Sequence, residues 1–494
     1  MKIEKISLTN TSSWSACIRL TQLFVLFTLV VFIGGVTSGL GEDVSAGFLF
    51  DQFKLTLEDG LRTEAAGPFY YSQTTNSGKV LAFPPFFSRE TNPTVETQED
   101  DFLYPIFTRQ HYGAERRWQF FELIESSSGL APDDTAPRRF TIFPFYFQQR
   151  AVDTNLNYTA VMPFYGRLQH RLFRDEIYFV MFPAFIETRK RDLVTDNYLF
   201  PFVDVHHGDG LEGWQVWPFV GREHKDLTTQ TNGFGDVTVI PGHDQWFYVW
   251  PFFMARNNGL GTTNTSTVRA AIPFYSATRS EFYDSTSVFW PFFTSIDNRE
   301  RQYHEWQGPW PFVIFARGEG KHTSRVWPVF SESHNDTKEN DSYAWPIYTY
   351  ARTHTDSLDQ QRSRVLFYAY SRLSSKNKET GKERVRLDMW PFFVWHREGN
   401  GDERLQVLAP LEPAVPDNPG IERNWSPLWS FWRSEFRPRT GTRNESLLWN
   451  LYHRQTTPNS SKMSFFFGLY QSSQQPGDES VRWFYFPPSH THRP

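Results

Sequence analysis

The fold class that the sequence predicts is an all-β antiparallel up-and-down meander of roughly twenty strands, closed as a large β-barrel. Three observations predict it. An aromatic motif built on Trp-Pro-Phe-Phe recurs along most of the chain, polar turn material separates the recurrences, and no long helical periodicity interrupts them. A β-solenoid, or a sheet covered on both faces by another layer, is the alternative architecture.

The recurrence is clearest when aligned on proline. Phe83-Pro84-Pro85-Phe86-Phe87 is followed by Leu103-Tyr104-Pro105-Ile106-Phe107, Phe143-Pro144-Phe145-Tyr146, Met162-Pro163-Phe164-Tyr165 and Phe182-Pro183-Ala184-Phe185. The series runs on through Trp250-Pro251-Phe252-Phe253 and Trp290-Pro291-Phe292-Phe293 to Trp390-Pro391-Phe392-Phe393. Most prolines stand 17 to 22 residues from the next. Gaps of 39 and 45 residues are two units each, with proline-free units around Trp118-Gln119-Phe120-Phe121 and Leu366-Phe367-Tyr368-Ala369-Tyr370. The gap of 33 after Pro218 holds an insertion rich in Gly, Asp and Thr.

Each unit reads as an apolar, aromatic and β-branched strand flanked by turn material such as Asn335 to Asp341 or Gly208-Asp209-Gly210. Short turns at regular spacing favour antiparallel neighbours. The proline then falls mid-strand, where its missing N–H implies a repeated kink or bulge at one level of the sheet. A corner between two short strands is the other reading of it. Segments such as Val249 to Met254 are apolar in both period-2 sets, which fits lipid outside and a packed lumen, or a sheet covered on both faces. The apolar band is about five or six residues, short of the roughly nine to eleven that a tilted membrane strand needs. Leu447 to Tyr452, Ser464 to Tyr470 and Val481 to Phe486 read as three closing strands, and Pro410 to Pro419 as a long loop.

The N-terminus directs the chain out of the cytoplasm. Lys2, Lys5 and Arg19 precede the apolar run Leu23 to Val36, as in a signal peptide or an uncleaved anchor. The domain reading is residues 1–41 as signal peptide or N-terminal membrane anchor, 42–486 as a single repetitive β-domain, and 487–494 as a polar C-terminal tail. The one cysteine, Cys17, lies in the exported segment, so the mature chain has no thiol chemistry and no disulfide. That usage fits a bacterial envelope protein better than a disulfide-rich secreted one. Phe, Tyr and Trp make up 18% of the residues, yet mean hydropathy is −0.53. A net charge of −5 gives no basic footprint for nucleic acid.

In its Trp-Pro-Phe-Phe units the mature chain resembles, as a type, uncharacterised bacterial envelope proteins carrying such strand repeats. The resemblance implies an exported outer-membrane or envelope location and brings no activity with it.

Function is therefore expected at the level of class. The leading expectation is an outer-membrane or envelope-associated β-barrel-like protein with a structural or transport role and membrane lipid as its partner. The alternative is a periplasmic or surface β-repeat protein that binds glycan or lipid through its aromatic faces; a hydrolase is the minor alternative. Candidate binding residues are Trp217, Trp250, Trp290, Trp310, Trp327, Trp345 and Trp390, which share one register of the repeat and equally suit a structural girdle. His206-His207-Gly208-Asp209 and Gly242-His243-Asp244 offer imidazole and carboxylate groups in turn-like segments. Gly318 to Thr323 resembles a phosphate loop in outline but lacks its spacing and reads as a hairpin turn. No catalytic residue, metal site or cofactor is indicated.

Overall fold

Two alternating kinds of turn build the molecule. The computed structural model describes residues 47–129, 137–231, 235–484 and 489–492. Residues 1–41, expected from sequence to be a signal peptide or membrane anchor, lie outside the described residues. The chain forms a 43-stranded antiparallel sheet and a separate two-stranded hairpin. Each strand of the large sheet pairs with its neighbours in sequence. β1 (Asp51–Lys54) pairs with β2 (Gly60–Ala65), β2 with β3 (Tyr70–Thr75), and so on until β44 (Asp478–Trp483) pairs with β45 (Ser489–His492). The expected meander is present, and part of the polar tail continues it.

The strand number is about twice that expected. A repeat of 17 to 22 residues holds a whole hairpin: two strands and two turns. Segments read as turn material are themselves strands. Lys338–Tyr343 (KENDSY) pairs with Phe330–Asn335 on one side and Tyr348–His354 on the other, leaving only Asp336 and Thr337 as turn. A polar strand carries no hydrophobic periodicity, and its backbone ladder alone holds it.

The proline reading is corrected in the same way. The prolines do not kink strands; each sits in the turn between two of them, with a cis Xaa–Pro bond. This is the corner reading, realised in an antiparallel sheet. Proline at a turn removes no ladder donor, which resolves its clash with strand geometry. The apolar runs such as Val249 to Met254 are thus turn tips, here Val249 to Phe252, with the first residues of the next strand, Phe253 and Met254, and the strand middles are polar. The three closing strands likewise straddle turns; strands occupy Thr442–Leu447, Tyr452–Thr457, Ser460–Phe465, Tyr470–Gln475 and Asp478–Trp483.

Closure by strand pairing is not seen. Among the described residues β1 pairs only with β2, and β45 only with β44. The ends of the sheet meet through other contacts. The Phe48 N–H donates to the Phe467 carbonyl at 3.2 Å, Gln455 Nε2 donates to the Lys54 carbonyl, and Asn450 Nδ2 donates to Glu64 at 2.7 Å. The Pro-rich loop leads into two short helices, α1 (Pro419–Asn424) and α2 (Ser426–Trp429), inserted between two strands that still pair, Val407 opposite Trp432. Asn418 caps α1 by accepting from the Ile421 N–H. Arg423 of α1 reaches back to Glu90, Glu99 and, at 2.9 Å, Asp101 near the start of the sheet. The Tyr71 hydroxyl donates to the Arg423 carbonyl at 2.9 Å.

Elsewhere the molecule is largely one sheet thick. A small core forms where Phe147, Tyr158, Ala160, Leu168 and Phe179 pack together. The insertion after Pro218 is the separate hairpin, Thr228–Thr231 with Val237–Ile240. The sheet continues past it, with Val220–Lys225 pairing to Gly242–Tyr248.

Candidate functional site: the aromatic edge of the sheet

In a meander, alternate turns lie on the same edge of the sheet. Every cis Xaa-Pro turn therefore falls on one edge, and the Asp-, Asn- and Gly-rich turns fall on the other. Most cis Xaa-Pro turns are closed by an N–H of the residue after proline donating three residues back, as in Phe252 to Val249 (2.8 Å), Phe292 to Phe289 (2.8 Å) and Phe392 to Met389 (2.7 Å). With cis proline at the third position these are type VI turns. Successive turns are bonded to one another as well. The Trp250 N–H donates to the Pro218 carbonyl at 2.6 Å, and the Trp345 N–H to the Pro328 carbonyl at 2.8 Å. The strand ladder thus extends into the turns and holds the edge as a continuous row.

The four residues of each Xaa-Pro turn are all uncharged, from Phe83–Phe86 to Met389–Phe392. The short proline-free turns on this edge, such as Leu366-Phe367-Tyr368-Ala369 and Phe466-Phe467-Gly468-Leu469, are also uncharged except at Glu122; the Pro-rich insertion between Val407 and Trp432, on the same edge, carries Glu412, Asp417, Glu422 and Arg423. The rings at the tips are open: Phe145, Phe219 and Phe274 each stay more than 60% exposed.

One further row extends this belt onto a face of the sheet. The strand residues next to these turns, alternately first and last in their strands, stand opposite one another as Phe87, Phe102, Phe107 and Phe120, as Val326, Phe330, Tyr343, Tyr348 and Val365, and as Tyr452, Phe465, Tyr470 and Trp483. Tyr470 and Trp483 rings lie 4.7 Å apart, and Phe87 and Phe102 5.0 Å. Two residues further along the same face, charge begins: Arg89 opposite Asp100, and Glu332 opposite Asp341. At about 3.3 Å per residue the apolar belt continues some 7 Å beyond the turns.

The seven tryptophans are strung along this edge, one per turn, and do not converge on a pocket. Trp217 and Trp250 form a ring pair at 5.8 Å, and Trp327 and Trp345 another at 5.5 Å. Trp390 lies edge-on to Tyr368 at 5.9 Å and donates its Nε1 proton to the Pro410 carbonyl at 3.0 Å. Trp290 and Trp310 occupy the same turn position, each a little over 40% exposed. No protein-family model matches the chain, and no curated protein is similar to it.

The other sequence candidates fall away from this edge. His206 and His243 are brought together by Glu223, a residue the sequence did not mark. His206 Nδ1 lies 3.1 Å from Asp204 and its Nε2 3.1 Å from Glu223, which also pairs with His243. Bonds to Asp204 and Glu223 raise the His206 pKa to about 9, and His206, against opposing burial, takes Glu223 down to about 2. Gly213 lies across from His206, and a Cβ there would stand 2.2 Å from its Nε2. His207 is on the opposite face, and Asp209 pairs with Lys225 at 3.5 Å in the turn. Among the described residues no group of three or more His, Cys, Asp and Glu is arranged to hold a metal ion. Glu319-Gly320 is the tip of a hairpin closed by Gly318 opposite Lys321. Among the described residues no helix is long and apolar enough to cross a membrane.

Proposed function

We propose that the chain is an envelope-associated β-sheet scaffold that seats its aromatic edge in the interface of a membrane. The observation that carries this reading is the segregation of the two edges. One is a bonded row of uncharged turns tipped by exposed Phe and Trp; the other is polar. Aromatic side chains favour the headgroup level of a bilayer, and amphipathic elements immerse an apolar strip of roughly 5–10 Å there. The belt described above has that depth. The strands, of about six residues with charged middles, are too short and too polar for the spanning role expected from sequence. A structural role, or transport along the sheet beneath the bilayer, follows more naturally than passage through it.

The cis Xaa-Pro turns carry no Lys or Arg, and Arg423 of the insertion is tied into ion pairs with Glu90, Glu99 and Asp101, so the attachment is apolar and requires neither anionic lipid nor low salt. Flotation of the purified full chain with phosphatidylcholine vesicles tests the reading. Co-flotation that persists in high salt supports it; release by salt, or binding only to anionic vesicles, rejects it. The alternative, a glycan or lipid ligand held by the tryptophans, finds support only in the ring pairs Trp217–Trp250 and Trp327–Trp345.

A further inference from the structure

The meeting of the sheet's two ends encloses a cavity of about 340 Å³. It lies between the first strands, α1 and the strands Trp432–Arg437 and Thr442–Leu447, with Pro68, Trp449 and Asn450 from turns of the aromatic edge along one side. Small-molecule sites begin at about this size. Its wall carries two clusters of like charge. One is cationic: Arg62, Arg404 and Arg433. Arg62 is matched by Glu64 at 2.7 Å and Arg404 by Glu422 at 3.1 Å, whereas the Arg433 pair with Glu435 is long, 3.9 Å. Burial, together with Arg62 and Arg404, pulls the Arg433 pKa down to about 10. The other cluster is anionic, with Glu58 facing Glu435. Burial, and then Glu435, hold the Glu58 carboxyl above the ordinary carboxylate range, although Gln73 Nε2 donates to it at 3.0 Å.

Each cluster lacks what the other ends of a polar ligand would bring. A part-buried guanidinium without a close counter-charge favours an anion, which it can bind through two parallel N–H donors. Crowded carboxylates favour hydroxyl donors. A ligand with one acid group and several hydroxyls satisfies both. We propose that this cavity is a binding site for an acidic saccharide, its acid group on Arg433 between Arg62 and Arg404 and its hydroxyls on Glu58 and Glu435. This site stands independently of the membrane reading, since none of these residues belongs to the aromatic edge.

The test uses the full chain and three probes in saturation-transfer NMR and calorimetry: a glucuronate-bearing disaccharide, its neutral glucose counterpart and inorganic phosphate. The acidic disaccharide is expected to bind. Arg433→Gln is expected to weaken it about tenfold or more, the loss of one charge-assisted pair. Glu58→Gln, in a surface segment after β1, is expected to weaken it while leaving the thermal transition in place, so the proposal stays testable if the arginine variant fails to fold. Binding of phosphate as tight as that of the disaccharide would reduce the site to an anion hole and overturn the saccharide assignment. Equal binding of the neutral disaccharide, no binding of any probe, or unchanged affinity in both variants would overturn it as well.

Discussion

Replacing three neighbouring tip rings, Phe219, Phe252 and Phe274, by serine should strip a measurable part of the membrane affinity. These rings stay 63%, 45% and 67% exposed. A phenylalanine presents roughly 200 Å², so each leaves about 90–130 Å² to be covered. At ~25 cal/mol per Å² full burial would contribute ~2–3 kcal/mol per ring. Immersion to headgroup level covers about half of that area, or ~1 kcal/mol each. The triple variant should then partition into phosphatidylcholine vesicles about 100-fold less than the parent chain. The rings are exposed in the free molecule, so its melting temperature should hardly move. Phe173 provides the control. It is 98% exposed but lies in a turn of the polar edge, and Phe173→Ser should leave partition unchanged. Equal losses from both variants, or no loss from the triple one, would refute the edge as the membrane-facing element.

Other perturbations test the frame that holds the edge. Gly213→Ala places a methyl group against His206 Nε2 and, at 2.9 Å, the Arg222 carbonyl, and should lower stability by about 1–3 kcal/mol in denaturant unfolding. The His206–Glu223 pair gives a pH signature. His206 has a folded pKa above its unfolded value, so its contribution is complete below about 6.5 and fades as pH rises through about 9. Glu223 has a depressed one, so its contribution is complete above about 4.5 and fades as pH falls through about 2. The melting-temperature gap between the parent and Glu223→Gln should be widest between those limits and narrow on both sides; a gap flat in pH would contradict the pairing. Arg423→Met leaves Glu90, Glu99 and the buried Asp101 facing one another without their cation. It should cost about 3–5 kcal/mol and increase amide exchange in the first strands and α1 before the middle of the sheet.

The sequence made the repeat and the antiparallel class legible because aromatic tips recur at hairpin spacing. It misled on strand number for a definite reason: segments such as KENDSY (Lys338–Tyr343) are strands held by backbone bonds between two neighbours, and nothing in their side chains marks them. The prolines were misplaced by one level for the same reason. Phe253-Met254 read as part of one strand with Val249, when it is the start of the next. The single register of the tryptophans was readable, and its meaning as an edge depended on knowing which turns face the same way. The charged cavity was invisible, because Glu58 and Arg62 are far in sequence from Arg433 and Glu435, and the two pairs meet only when the sheet's ends do. Glu223 escaped notice because a lone glutamate in a polar strand carries no spacing signal until His206 and His243 are set beside it.

The central claim is that one edge enters lipid and the other does not. With Cys17 as the only cysteine, a Cys17→Ser background allows single cysteines to be placed at Phe312 on the aromatic edge, at Ala351 in mid-strand and at Thr337 on the polar edge, each carrying an environment-sensitive fluorophore. On adding phosphatidylcholine vesicles, emission should shift to the blue at position 312 alone. A shift at 337 and 351 as well would mean that the strands themselves lie in the bilayer, and no shift at 312 would mean that the aromatic edge does not meet it.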